Sequence, residues 1–409
     1  MTLRSSLFLA AISLVLAALP AGSARRPRYG GALRVEIGAT IDSFDPNSAA
    51  LSSAAAASEK SAIEALIYDR SDIRKLDTAA PPASPTSGAA SGPFRLSEWV
   101  AGKHAILVAN DEYPGGRPFL DAIDIQMGRS AKDMLLDLEL NKTDLAEIPA
   151  EEARRAAEQG VRVSGSPPEQ LIALVFASGA SAPSGTSGRP AADDARVREA
   201  ISRAVDRPSI VNFILQKQGD PAGCLLPQWL SGAAFLFPTA PDPAGAKERW
   251  STIPGSPKIV LGYDAADGLQ QAVAERIVVN AREEGISLAL TALPNSAPTQ
   301  ARGDARLVRV EIASPSPRQA LAGMLEQLAP FTAIDAAPLP EPASPSQIYE
   351  REQAIVSTYR IVPIAWIPRV YGLSARVRDW KAPGPGENWP LADVWLDGTA
   401  ATAASPGGK

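Results

Sequence analysis

The sequence predicts a mixed α/β protein of two lobes, each built on its own sheet. Three observations lead there. The chain has 409 residues, more than one typical domain of about 100–200 residues and enough for two hydrophobic cores. Short apolar runs with strand-like composition are separated by longer segments whose apolar residues recur at spacings of three and four. This alternation of single strands and single helices occurs in both halves of the chain, which is the pattern of two α/β layers rather than of all-β or all-α units.

The elements follow in order. Residues 32–37 (ALRVEI) read as the opening strand, and residues 105–109 and 123–127 as two further strands on either side of a turn-rich Pro114-Gly115-Gly116 centre. Helical spacing covers 131–140 and 150–159, the second stopping at Gly160 before a strand at 171–176. A long helix is expected over 196–217 with Asp194 as its N-cap, then a strand at 258–262 and a helix at 268–284 that stops at Gly285. A strand at 307–312 and helices at 318–328 and 346–358 complete the pattern. Two segments break it. Residues 47–59 are almost wholly Ala and Ser, and residues 78–93 are built from Pro, Ala, Ser and Gly. Such composition buries too little apolar surface to offset ordering entropy, so residues 47–90 are expected to form a flexible low-complexity bridge, with 63–76 as a candidate remnant helix.

The N-terminus has the form of a secretory signal. Arg4 precedes an apolar run over 7–19, and Ala21-Gly22-Ser23-Ala24 offers small residues for cleavage, so residues 1–24 read as a signal peptide and Arg25 as the start of the mature chain. The run is shorter than the ~20 residues that a membrane-spanning helix needs. The competing reading is an uncleaved anchor, which Arg25, Arg26 and Arg28 just after the run keep open. No cysteine lies near the cleavage region for attachment of a lipid, so a periplasmic or secreted chain without a lipid anchor is expected. Cys224 is the one cysteine, which excludes an internal disulfide, and its apolar neighbours Leu225 and Leu226 favour burial.

Composition and motifs argue against several functions. The formal net charge is −5, without a basic tract or an aromatic-rich basic stripe, so nucleic acid is not an expected partner. His104 is the only histidine, and no G-x-S-x-G elbow supplies a nucleophile beside it. One His and one Cys cannot build the usual zinc ligand sets. No phosphate-binding glycine loop is present. Glu151-Glu152 and Glu283-Glu284 read as charge pairs on solvated helix faces. A non-enzymatic protein without metal or cofactor is the expectation.

The most informative stretch is 91–127. It contains Gly92-Pro93-Phe94-Arg95-Leu96, then Asn110, Tyr113, Gly115, Gly116, Pro118, Leu120 and Asp121. These resemble the G-P-Y-R-L and N-x-x-Y-W-G-G-x-P-x-L-D patterns of the family 5 extracellular solute-binding proteins, the peptide, dipeptide and nickel receptors of ABC importers, with Pro114 in place of the usual Trp. Further blocks resemble the family in the same order. Tyr29-Gly30-Gly31-Ala32-Leu33-Arg34-Val35 with Asp42-Ser43-Phe44-Asp45-Pro46 looks like its opening strand and L-D-P turn. Asp144-Leu145-Ala146-Glu147-Ile148-Pro149 looks like its D-x-A-x-V-P segment. Arg196-Val197-Arg198-Glu199-Ala200-Ile201, with Val205-Asp206-Arg207 and Ile210-Val211, is similar to the helix that opens its second lobe, and Ile361-Val362-Pro363-Ile364 with Arg369-Val370-Tyr371 to its return strand.

The resemblance implies a type II periplasmic-binding-protein fold: lobe one from 29–46, 91–188 and 359–409, lobe two from 189–358, and a shortened interval at 47–90 where the family's small extra subdomain is missing. It implies a solute or peptide bound between the lobes, a hinge closure on binding, a monomer, and a membrane permease as partner. Candidate ligand-binding residues lie where the crossover segments fall: Thr40 and Asp42, Phe176 and Ser178, Trp366, Arg369 and Tyr371. For Trp366 the competing role is an indole capping the lobe core, for Arg369 a guanidinium facing solvent. Trp229 and Phe235 face the same region, with core packing as the alternative. The acidic residue that usually pairs with a peptide ammonium after the equivalent of strand 307–312 is replaced by Ala313-Ser314-Pro315, leaving Asp335 as the nearby carboxylate. That departure implies little discrimination of free peptide ammonium groups. It also supports a second reading, a degenerate family member that keeps the fold as a structural or protein-interaction module.

Overall fold

The computed structural model describes residues 26–42, 54–68, 91–177, 191–232, 237–294, 303–337 and 339–398. Strand β1 (Ala32–Glu36) alternates as predicted, burying Leu33 and Val35 on one face. It pairs in parallel with β4 (Ala122–Gln126) and β5 (Leu145–Ile148). The hairpin β2 (Phe94–Val100) and β3 (His104–Ala109) adds to β4, and β13 (Val370–Leu373) with β6 (Arg162–Gly165) closes the other side, giving the order β2-β3-β4-β1-β5-β13-β6. The second sheet has the order β10-β9-β11-β7-β12-β8, from β10 (Leu288–Leu293), β9 (Ile259–Asp264), β11 (Ala305–Glu311), β7 (Gln170–Phe176), β12 (Ile361–Ile367) and the short β8 (Asp220–Pro221). Two α/β lobes, each with its own sheet, are the predicted architecture, and helices cover both faces of each sheet. The residue pattern shows why: β7 and β12 are buried along their whole length, as strands covered on two faces are.

The crossings between the sheets lie elsewhere than expected. β7 and β12 pair with each other and with the second sheet, so the chain passes over at 166–169 and 368–369, not near 188/189 and 358/359. Uninterrupted apolar strands carry no signal of the sheet they join. What decides here is the antiparallel register of Gln170–Phe176 against Ala305–Glu311 and Ile361–Ile367.

The bridge expected over 47–90 also differs. Helix α1 (Ala54–Ile67) occupies part of it, and Ala62, Ile63, Leu66 and Ile67 are buried in the core under the first sheet. Alanine is the best helix former, and four apolar residues at helical spacing in 62–67 supply the tertiary contacts that a local composition argument leaves out. The other face of this sheet is covered by α2 (Ala131–Glu139) and α3 (Ala153–Glu158). α4 (Ala195–Ala204), α5 (Pro243–Ser251) and α6 (Gly268–Glu283) cover one face of the second sheet, and α7 (Pro317–Leu328) and α8 (Pro345–Val356) the other.

Local signals held at most helix ends. Asp194 caps α4 by accepting from the Arg196 N–H, and Gly160 and Gly285 take positive φ where helices stop. The single helix expected over 196–217 is instead broken. α4 ends at Ala204, Val205 is extended, and a short turn capped by Asp206 leads into a π-helical turn at Ile210–Ile214. Pro208 sits in the first turn of the restart, where its missing N–H costs nothing.

Candidate functional site: the cleft at the two crossings

The two crossings are joined to each other. The Ser166 N–H donates to the Arg369 carbonyl at 2.9 Å, and the Arg369 N–H donates to Ser166 Oγ at 3.0 Å. This places the Arg369 side chain, 8% exposed, between the sheets. Its guanidinium meets three carboxylates: Glu169 at 3.2 Å, Glu311 at 2.5 Å and Glu147 at 3.4 Å. Glu147 comes from β5 of the first sheet, Glu311 from β11 of the second and Glu169 from the crossing itself. Gln170 Nε2 donates to Glu311 at 2.8 Å and holds it in place.

A fourth carboxylate approaches from α1. Glu59 is buried and accepts the N–H groups of Ala39 at 2.8 Å and Gly38 at 3.3 Å, which fixes α1 to the end of β1. Burial pushes the carboxyls of both Glu59 and Glu169 up to about 7, against the partial relief given by Arg369, and raises Glu147 as well. Arg369 itself is held firmly protonated: burial opposes its charge, but the surrounding carboxylates outweigh that.

Two cavities open on either side of this cluster. The larger, about 780 Å³, is lined by Ser58 and Ser61 of α1, Glu169, Glu311, Arg369 and Tyr371, and by the loop 383–389. The smaller, about 400 Å³, is lined by Gly38, Glu59, Glu147, Asp267 and Arg309 among others, with Arg309 paired to Asp267 at 2.9 Å. Each is walled by both lobes. Tyr371 is buried against Trp380 and Trp389 with ring centroids 5.3 and 6.4 Å away, both edge-on. Burial raises its phenol far above the usual range, so it acts as a neutral wall with a hydroxyl.

Of the residues singled out from sequence, Arg369 and Tyr371 come together in the larger cavity. Trp366 is buried in β12 and borders a different cavity, within the second lobe. Phe176 is wholly buried in the core of that lobe. Thr40 and Asp42 are exposed beside the β2–β3 turn, where the Gly102 N–H donates to the Ile41 carbonyl, and border neither cleft cavity. Ser178 and Phe235 lie outside the described residues. Trp229 is 43% exposed, and its indole N–H donates to the Pro168 carbonyl. Asp335 pairs with Arg351 at 2.8 Å and lines neither cavity. His104 bonds Asp124 across β3 and β4 at 2.9 Å.

Sequence reasoning missed Glu59, Glu147, Glu169 and Glu311. For Glu147 the available signal was an acid inside an otherwise apolar strand, Leu145-Ala146-Glu147-Ile148.

Two α/β lobes joined by two crossings, with a charged cleft between them, match what comparison with known proteins gives. The family model for bacterial extracellular solute-binding proteins, family 5 Middle, matches residues 38–325. The chain belongs to that family. This family 5 protein is 25% identical over 211 residues to the probable D,D-dipeptide-binding periplasmic protein DdpA of Escherichia coli, a match covering 51% of this chain and 39% of DdpA. It is 27% identical over 133 residues to the oligopeptide-binding protein AppA of Bacillus subtilis, covering 32% of this chain and 23% of that protein. The matches thus span well under half the length of these two curated relatives. Among solved structures, the ABC transporter substrate-binding protein CtaP of Listeria monocytogenes superposes with a TM-score of 0.72 at 16% identity, over 90% of this chain and 100% of that one. Bacillus subtilis AppA in complex with a nonapeptide superposes with a TM-score of 0.62 at 14% identity, over 91% of this chain and 100% of that one. These likenesses establish the type II periplasmic-binding-protein fold. Among the described residues no helix is long and apolar enough to cross a membrane.

Proposed function

We propose that this family 5 protein is the solute-binding component of an ABC importer for peptides or solutes of similar size, closing its two lobes around the ligand. The observation that carries this reading is the pair of cavities on either side of Arg369, each walled by both lobes at the two crossings. Hinge motion at 166–169 and 368–369 would alter both cavities at once, and the closed form would be presented to a membrane permease. Three carboxyl groups surround the one guanidinium of Arg369, so above the raised Glu169 value of about 7 the cleft favours a solute that brings a cation, such as a free peptide ammonium. This revises the sequence expectation that free and acetylated peptides bind alike.

A ligand that binds only the folded state stabilises it by RT ln(1 + [L]/Kd), about 2.7 kcal/mol at a hundredfold excess over Kd. The test is a thermal-shift panel of di- to hexapeptides, free and N-acetylated, at pH 8. Free peptides are expected to raise the melting temperature more than their acetylated forms. A panel extended to sugars and nickel complexes that gives no shift at any concentration would overturn the receptor reading in favour of the degenerate module.

A further inference from the structure

The second lobe contains a cavity of about 610 Å³ away from the two crossings, bordered by Asp220, Cys224, Trp229, Phe237, Glu352 and Trp366 among others. Its volume is in the range of small-molecule sites, about 300–1,000 Å³. One buried polar group here lacks the partner that burial demands, and a second has a free oxygen. Trp366 is 2% exposed, and its indole Nε1–H has no acceptor. A buried donor without a partner is uncommon and is destabilising, so it points to an acceptor brought from outside. Glu352 is 3% exposed and takes the N–H groups of Leu225 and Leu226 on Oε1, while no described residue donates to its Oε2. The cavity therefore presents one buried, unmet donor and one carboxylate oxygen that accepts from no described residue.

The remaining wall sets the shape and charge of what fits. Trp229 has its indole N–H committed to the Pro168 carbonyl, and Phe237 packs on Tyr349 with ring centroids 5.9 Å apart, so both offer apolar ring surface. Among the described residues no Lys, Arg or His borders the cavity, whereas Asp220 and Glu352 both do. An anion would enter beside these two acids with no counter-charge. We propose that this cavity is a second binding site, separate from the cleft, for a planar aromatic amide, whose carbonyl accepts from Trp366 Nε1 and whose N–H donates to Glu352.

Cys224 is the only cysteine of the chain and borders this cavity but neither cleft cavity, so its modification reports on this site. Burial pushes its thiol up to about 12, which slows its reaction enough to time. The full chain would be treated with methyl methanethiosulfonate in the presence of benzamide or of benzoate, with labelling followed by mass spectrometry. Benzamide at ten times its Kd is expected to slow labelling by about tenfold, since only the empty fraction reacts, and benzoate to leave it unchanged. Trp366→Phe keeps an aromatic ring but removes the donor, and is expected to weaken benzamide about five- to tenfold. Equal protection by benzamide and benzoate, or no protection by either on the unaltered chain, would overturn the proposal. So would a Trp366→Phe chain of native melting temperature that binds benzamide unchanged.

Discussion

Arg369→Ala removes the one cation that three carboxylates of the cleft share. Glu147, Glu169 and Glu311 lie 2.5 to 3.4 Å from its guanidinium. Taking away one partner of a buried ion pair typically costs about 3–5 kcal/mol, because the opposite charge stays behind without compensation. That loss is expected at pH 8, above the raised value of the Glu169 carboxyl. It is expected to shrink on acidification. The Glu169 carboxyl has a folded value pushed up to about 7, above the ordinary ~4.3. The fold therefore binds this proton over a pH range in which the unfolded chain does not. Stability carried by the protonated form is fully present below the ordinary value and is lost as pH rises through 7. Arg369 lowers the Glu169 value, so removing it raises that value further; the variant then takes up the proton at a higher pH than the native chain, and the penalty shrinks as pH falls toward 7 and is smaller at pH 5 than at pH 8. Thermal unfolding of both proteins at pH 8 and pH 5 measures this, with Arg369→Met as a control that retains side-chain length. An equal loss at both pH values would mean that Arg369 acts through packing. Native stability of Arg369→Ala at pH 8 would mean that its carboxylates are solvated, and the electrostatic account of the cleft would be wrong.

Two further perturbations test the frame around the cleft. Gly92→Ala places a Cβ 2.5 Å from the Leu66 carbonyl oxygen and 2.7 Å from the Ile67 carbonyl carbon, so α1 has to shift; a loss of about 1–3 kcal/mol is expected in thermal or urea unfolding. Asp144→Asn weakens a fully buried carboxylate that accepts from Arg34, Arg376 and the Ser374 hydroxyl, with an expected loss of about 3–5 kcal/mol at pH 7. These partners hold the Asp144 carboxyl well below the usual range despite its burial. Its stabilisation is therefore present above the ordinary value and is lost as pH falls, and a pH series of melting temperatures should show the two proteins converging below about pH 4.

Some of this protein was determined by sequence alone, because the physics involved is local. Period-two burial in Ala32–Glu36, helical spacing in Gly268–Glu283, the Asp194 cap and the glycine stops at 160 and 285 depend on neighbours within a few residues, and all were legible. The family blocks were legible for the same reason, each being a short contiguous pattern. Tertiary structure decided the rest. Gln170–Phe176 and Ile361–Ile367 are apolar throughout, and only long-range pairing with Ala305–Glu311 assigns them to the second sheet and moves the crossings to 166–169 and 368–369. The Ala-rich segment becomes helix Ala54–Ile67 because the first sheet offers a face for Ile63 and Leu66 to cover. The cleft cluster draws Glu59, Glu147, Glu169, Glu311 and Arg369 from five distant parts of the chain. Each reads in sequence as one more charged residue. Folding puts them in one desolvated place, and desolvation, which no single segment contains, is what gives those charges their effect.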